Sequence, residues 1–500
     1  MDAKELIDDL REGRISPERL VGLLVKFGSE LEAAKRRIAE LEAELGKRPT
    51  EKLDEPYSVQ AEEKRKRARE RRKQAKKKGL KRGRVSTAEK LAMAVRVEQV
   101  YPEGVSPEKC KLSHKRPIWR FENGQAVIVA YEVFRGPNGQ YGRIPHSLGR
   151  SEYGLEVVVA IAYLVHVVGL SFDKVCQVLN FFQHLKLRKS QADALLNQLA
   201  RSWEAEFDTL CTLLAHSAIV HCDETSWSIN SVWAFLSENA RVFLFGVHKD
   251  AETLELILDR SLFEGMIVTD DAAVYRDFDC AQKCWAHLLR KAIKLTLLAP
   301  DNATYRDLAD KLLEIYRKAG RLQRDRRFST AGRLAKIDLL NDEIVDLCGP
   351  VWAAELPPDD GPENDYRLLC NELMRLLLAD ELFTFVTMDD AVAPNGETVP
   401  AAGTNNEAER SLRTPAQSRG TGRTNKTLNG ARRQTVLVTT LESLRLYLSE
   451  FTLSAIIEEL HSWWRKKATC FDAILKSLKI SSSQRQQGLL DEIFPQPDTS

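Results

Sequence analysis

The nine cysteines of this 500-residue chain include no C-x-x-C pair and follow no framework spacing. That excludes a disulfide scaffold and points to reduced thiols in a reducing compartment. Long apolar runs are missing too. The best candidate, LEVVVAIAYLVHVV from Leu155 to Val168, is short for a membrane span and carries His166, so it reads as a buried helix. The opening MDAKELIDDLREG is polar and acidic where a secretory leader needs a basic stretch and then an apolar one. The expected location is the cytoplasm, on the nucleoid, with no membrane partner. Cys280, Cys284 and His287 cluster in sequence but lack a fourth ligand nearby, so their spacing predicts no zinc site.

A net charge of +2 conceals an uneven distribution. The segment Lys64 to Arg84 holds 14 Lys/Arg and one Glu, and without it 60 basic residues face 71 acidic ones. A solvated linker is the plain reading. At this density an arm that meets nucleic acid is the better one, because each phosphate contact releases counterions without needing a fold. Lys76, Lys77, Lys78 and Arg82 are its candidate phosphate contacts. Ahead of it, apolar residues recur four and three apart at Leu20, Leu24, Phe27, Leu31, Ala34, Ile38, Leu41 and Leu45. Charged flanks make this a leucine-zipper-like seam that predicts a homo-oligomer, although Gly22 and Gly28 weaken it.

These signals divide the chain into a coiled-coil helix (1–48), a basic linker disordered without a partner (49–84) and a Gly/Pro-punctuated region (85–150). A helical region follows at 151–215. Strand-like runs then come quickly: AIVHCDETSW, SVWAFLSEN, ARVFLFGVHK, and, after the helix DAETLELILDR, GMIVTD. Three strands in a meander followed by helix–strand alternation is the order of an RNase H-like sheet. The expected class is a helix-rich, multidomain α/β chain. Its RNase H-like core occupies 216–300 and 391–465, split by a helical insertion at 301–390. Within the second part a helix from Gln434 to about Glu459 is expected. The tail, 466–500, ends in twenty residues that look loose.

Asp223 and Asp270 close short apolar runs, where an unpaired carboxylate is costly unless something repays its burial. Glu409 opens a helix rich in arginine and asparagine. Neighbouring strands lie about 4.8 Å apart, so the two aspartates could share a metal, with Glu409 completing the coordination. Two such metals on a phosphodiester are the usual employment of a carboxylate trio. Magnesium suits an all-oxygen site, and manganese should substitute. Each acid has a rival. Strand alternation sends Glu224 to the other face, Asp271 could serve through a bulge, and Glu407 cannot share an aim with Glu409.

The motifs HCDET, VTDDAAVY, CWAHLLRK and TNNEAERSLR, in that order, resemble the insertion sequence 66 family of bacterial transposases. The likeness runs from about Tyr153 to Tyr447 and includes GRTNKTLNGARRQTVLVTTLES. It implies DDE-type transposition on an RNase H-like fold, with Asp223, Asp270 and Glu409 as metal ligands and terminal inverted repeats and target DNA as partners. In that likeness Asp271 matches a position often held by glycine. His287, in a C-x-x-H signature similar to that of several DDE groups, either orients the phosphate or the acids, or caps a strand–helix turn. Family members often carry a zinc finger after the zipper. Here Cys110 and His114 stand without a second pair, so no structural zinc is predicted and the helical DNA-binding region expected at 85–150 lacks a complete finger.

Arginines around the third acid fit phosphate handling: Arg410 and Arg413 on its helix, then Arg419, Arg423, Lys426, Arg432 and Arg433 in a Gly/Thr/Ser-rich stretch. Asn405 and Asn406 read as helix caps. The resulting expectation is a transposase that cuts and joins DNA ends, with accessory proteins of the same element among its partners. The alternatives are an RNase H-like nuclease that does not join, and a catalytically inactive coiled-coil DNA-binding or regulatory relative.

Overall fold

The computed structural model describes residues 85–495, except 276, 277, 279, 326, 355, 356 and 358–360, together with Arg67. The heptad seam and the basic arm, including Lys76, Lys77, Lys78 and Arg82, lie outside the described residues.

A capping box between Ser86 and Glu89 starts α1 (Thr87–Ala92). The strands β1 (Arg96–Val100), β2 (Lys111–Glu122) and β3 (Gln125–Arg135) follow as a three-stranded sheet in the order β1-β3-β2. This corrects the expectation of a helical module over 85–150. The strand signals were present. AVIVAYEVF is rich in β-branched and aromatic residues, and Asn123-Gly124 supplies the two positive φ angles, 50° and 76°, of a tight hairpin turn. Ile118, Val129, Tyr131, Val133 and Ile144 make its small core.

Helix α2 (Leu155–Ala162) is buried almost throughout and runs into a π-helical turn, Tyr163–Val167. A helical hairpin, α3 (Phe172–Gln183) and α4 (Lys189–Ser202), precedes α5 (Glu204–Ala215). Among the described residues no helix is long and apolar enough to cross a membrane.

The central sheet has five strands: β4 (Ile219–Ser226), β5 (Ser231–Ser237), β6 (Arg241–Val247), β7 (Met266–Thr269) and β8 (Ala281–Lys283). Their order is β6-β5-β4-β7-β8. The meander β4-β5-β6 is antiparallel, whereas β7 and β8 run parallel to β4. Helix α6 (Ala251–Ile257) connects β6 to β7, and α7 (Trp285–Leu298) leaves β8. Alternation splits the strands between two cores. Val220, Cys222 and Ile267 enter one, while Ile219, Met266 and Val268 enter the other. A one-residue slip would exchange these sets, so the register of β4 and β7 is firmly fixed.

The second core is completed by the expected helical insertion: α8 (Ala303–Arg324), α9 (Thr330–Cys348) and α10 (Pro362–Leu378), with the short α11 (Thr384–Thr387). On α8 the buried residues Tyr305, Leu308, Leu312, Ile315 and Ala319 recur at three and four, the stripe of an amphipathic helix. Strands β9 (Ala391–Val392) and β10 (Thr398–Val399) form a hairpin before α12 (Asn406–Ser411), α13 (Arg413–Gly420) and α14 (Leu428–Leu444).

Helix α14 solves the edge problem of the sheet. β6 is an edge strand, and its outward N–H groups would otherwise be buried without partners. Ser443, Thr439 and Thr435, spaced four apart on α14, accept from the N–H groups of Arg241, Phe243 and Phe245 at 3.0, 3.0 and 3.1 Å. Thr439 and Ser443 also donate back to the carbonyls of Phe243 and Arg241. A row of helical hydroxyls thus takes the place of a sixth strand.

Two expectations at the C-terminus are corrected. The helix expected from Gln434 to about Glu459 starts earlier, at Leu428, and breaks after Leu444, with α15 (Leu453–Lys466) beginning at the Thr452 cap. Asn395 of the β9–β10 turn bonds the carbonyl of Arg445 and donates its N–H to that of Leu446, holding the break open. The tail is docked where it is described. Phe471 and Leu475 of α16 (Cys470–Ser477), then Leu489 and Leu490 of α17 (Leu489–Ile493) and Phe494, are buried in the first core.

Candidate active site

Pairing of β4 with β7 runs Ile219 to Met266, Val220 to Ile267 and His221 to Val268. Carried two residues on, the same register sets Asp223 opposite Asp270. Both have the parity of Ile219 and Val268, so both face the side that the insertion covers. The opposite parity sends Glu224 to the other core, where its carboxylate meets the Tyr275 hydroxyl and the Lys249 ammonium. Asp271 turns to α10 and pairs with Arg375. Glu407 pairs with Arg241 at 3.3 Å. Glu224 and Glu407 are thus tied elsewhere, whereas Asp271 keeps its other carboxylate oxygen without a hydrogen bond and lines the same cavity as Asp270.

A short set of hydrogen bonds draws distant segments around the two aspartates. Cys284, the residue before α7, donates its N–H to the carbonyl of Thr269, next to Asp270 (2.8 Å). The N–H of Trp285 reaches Gly403 (2.8 Å), and its indole N–H reaches Leu382 (2.7 Å). Gly403 must be glycine here, because a Cβ would stand 2.8 Å from the Phe385 ring. Asn405 does not cap α12 with its side chain. It is fully buried, gives its amide N–H to the Cys222 carbonyl (2.6 Å), and gives its backbone N–H to Cys284 Sγ (3.1 Å). Asn405 therefore fastens the Glu409 helix to the strand of Asp223 and to the start of α7.

Through these ties Glu409 reaches His287. Glu409 Oε1 lies 3.6 Å from His287 Nδ1 and 2.6 Å from the Arg290 guanidinium. Arg290 was not foreseen from the sequence, although it sits three residues after His287 and so on the same helical face. Lys283, 2% exposed, was also missed. Its ammonium is 3.8 Å from Glu381 and 3.4 Å from the Thr269 hydroxyl.

The neighbouring carboxylates act on Asp223. The Asp223 carboxyl is pushed up to about 7, first by burial and then by the charges of Glu224, Asp270 and Glu409. Burial, and then Arg290, lower the His287 pKa against the opposing pull of Glu409 and Asp270, so the ring is neutral near pH 7. Asp223, raised in this way, together with Asp270 and Glu409 makes a donor set that a hard divalent cation fits, since such a cation relieves the repulsion on the buried carboxyl. Beside them opens a cavity of about 600 Å³ whose lining includes Asp270, Lys283, His287, Lys291, Asn371 and Arg375.

The basic residues divide. Arg410, Arg413, Arg419, Arg423 and Lys426 are exposed. Arg419 bonds the Ser226 carbonyl (2.6 Å) at the end of β4, and Arg423 bonds that of Gly169. Arg432 and Arg433 are instead turned inward. Arg432 pairs with Asp491 (2.6 Å) and Glu204 (3.3 Å), and Arg433 with Asp193 (2.6 Å), leaving the side chains 14% and 10% exposed. They fasten α14 to α17, α5 and α4, a role that sequence position alone does not reveal.

Residues 150–358 match the family model described as Transposase IS66 family. The matched stretch contains Asp223, Asp270 and His287, and Glu409 lies beyond it. No curated protein matches the chain.

Proposed function

We propose that this chain, whose residues 150–358 match the Transposase IS66 family model, cuts and joins DNA ends by a DDE mechanism. The observation that carries this reading is the electrostatic meeting of Asp223, Asp270 and Glu409. The sheet order β6-β5-β4-β7-β8, with its antiparallel meander and two parallel strands, supports an RNase H-like core. In that core Asp223 and Asp270 stand two residues past the last residues paired between β4 and β7, two adjacent parallel strands.

Asp223, Asp270 and Glu409 would hold magnesium, with manganese as a substitute. Bound there, such ions supply Lewis-acid stabilisation to phosphoryl oxygens and an activated nucleophile at neutral pH. The chain's own residues do the rest. Cationic Arg290 holds the Glu409 carboxylate from one side, with the His287 ring 3.6 Å from it. Asn405 sets the position of its helix. Arg410, Arg413, Arg419, Arg423 and Lys426 offer guanidinium and ammonium groups to DNA phosphates along one exposed stretch. Water, and then the freed 3′-hydroxyl, attacks phosphorus in line, with no covalent enzyme intermediate. Self-association through the 20–45 seam, DNA capture by the basic arm and helper proteins of the element belong to the same proposal.

The test is cleavage and strand transfer in magnesium on the inverted repeats that flank the gene. Asp223→Asn, Asp270→Asn and Glu409→Gln are each expected to abolish cleavage while DNA binding persists. Cutting without joining of pre-cut ends would reduce the reading to a nuclease. Activity indifferent to chelators would overturn it.

A further inference from the structure

Cys284 is buried beside the proposed catalytic acids, yet a thiol has no part in a site built for magnesium, which prefers oxygen. Cys284 Sγ, an imidazole nitrogen of His287 and a carboxylate oxygen of Glu409 lie within 4.8 Å of one another. The thiol accepts the Asn405 N–H, and the backbone N–H groups of His287 and Ala286 also lie against the sulfur. His287 Nδ1 is buried and makes no hydrogen bond, although it faces Glu409 at 3.6 Å. A sulfur, a nitrogen and an oxygen in one cluster are the ligand types of zinc, and three protein ligands with an open fourth position make an open zinc site. The local sequence offers only two of the three. Glu409 arrives from a segment more than a hundred residues away.

We propose that Cys284, His287 and Glu409 form a cation site selective for soft divalent metals such as zinc, and that filling it withdraws Glu409 from Asp223 and Asp270. Glu409 is the member the two sites share. A metal held by Cys284 and His287 takes a Glu409 oxygen at the start of α7, and that oxygen is then lost to a metal on Asp223 and Asp270. The Arg290 guanidinium that now pairs with Glu409 is 55% exposed and free to swing into water. Zinc then acts as an inhibitor that excess magnesium displaces poorly, because magnesium binds thiolate weakly. The inhibition rests on the DDE reading, whereas the site itself does not.

The experiment is a cadmium titration of the full chain, freed of metal, followed by the ultraviolet thiolate-to-cadmium absorption band. Wild type is expected to bind one cadmium with that band, and Cys284→Ala to lose it. His287→Ala is expected to keep the band but bind at least about tenfold more weakly. Circular dichroism checks the fold, and the near-isosteric Cys284→Ser carries the same test if the alanine variant misfolds. A band unchanged in either folded Cys284 variant, or affinity unchanged in His287→Ala, overturns the site. In the second arm zinc is added to magnesium-driven cleavage, and the inhibition is expected to weaken at least about tenfold in His287→Ala or Cys284→Ala relative to each variant's own activity. Equal inhibition in wild type and variants overturns the withdrawal of Glu409. Absence of magnesium-driven cleavage in wild type would count against the DDE reading, and the cadmium arm would still decide the site.

Discussion

Replacing Asp223 by asparagine is expected to stabilise the metal-free protein while destroying its activity. Asp223 is pushed from 3.8 up to about 7 by burial and by neighbouring carboxylates. A folded-state value above the unfolded one means that the native chain binds the extra proton more tightly. Stability therefore falls as pH rises from about 4 to about 7, and the penalty is complete above that range. A shift of about three units at 1.36 kcal/mol each sets a ceiling of about 4 kcal/mol, and relaxation around the charge leaves roughly 1–4. Asparagine keeps the shape and removes the charge. In thermal unfolding at pH 8 with chelator, Asp223→Asn should melt roughly 2–8 °C higher than wild type. The gap should close as pH falls toward 4, where the wild-type carboxyl is already protonated. Magnesium should raise the wild-type melting temperature and leave the variant nearly unmoved. A variant that melts no higher than wild type at pH 8, or a gap independent of pH, would refute the reasoning.

Other expectations follow from the same geometry. Arg290→Ala removes a cation that competes with metal for Glu409. An exposed pair of this kind contributes about 0.2–1 kcal/mol, so half-saturating magnesium for cleavage should fall by up to about fivefold, and a rise would contradict the assignment. Thr439→Val keeps the volume but leaves the Phe243 N–H without its acceptor in a fully buried place. A loss of about 1–3 kcal/mol is expected in denaturant unfolding, and an unchanged midpoint would show that α14 does not seal the sheet edge. Arg433→Ala should cost stability through its pair with Asp193 while leaving the salt dependence of DNA binding unchanged. A reduced salt slope would return Arg433 to the DNA-contacting set.

The shared side of Asp223 and Asp270 was legible because each carboxylate closes an apolar run, and β4 and β7 kept the alternation that aims both the same way. Strand parity also separated Glu224 correctly. The insertion was legible from its helical stripe, as on α8. Asn405 was misread because cap residues are recognised from local spacing, whereas its partners, Cys222 and Cys284, lie more than a hundred residues away. Arg432 and Arg433 were misread for the same reason. Basic residues beside an acidic helix look alike in sequence whether they face solvent or Asp491 and Asp193. The β2–β3 hairpin was overlooked despite its Asn-Gly turn, because the flanking Gly/Pro punctuation masked the alternation. The break after Leu444 was hidden because apolar spacing continues across it, whereas the Asn395 contacts that accompany it come from a distant segment.

The most direct test of the central claim is manganese anomalous scattering from crystals of the protein with a DNA end, grown above pH 7 so that Asp223 is ionised. The account predicts density bridging the carboxylates of Asp223 and Asp270, with Glu409 turned to the same cluster. Manganese bound elsewhere, with none of the three touching it, would contradict it.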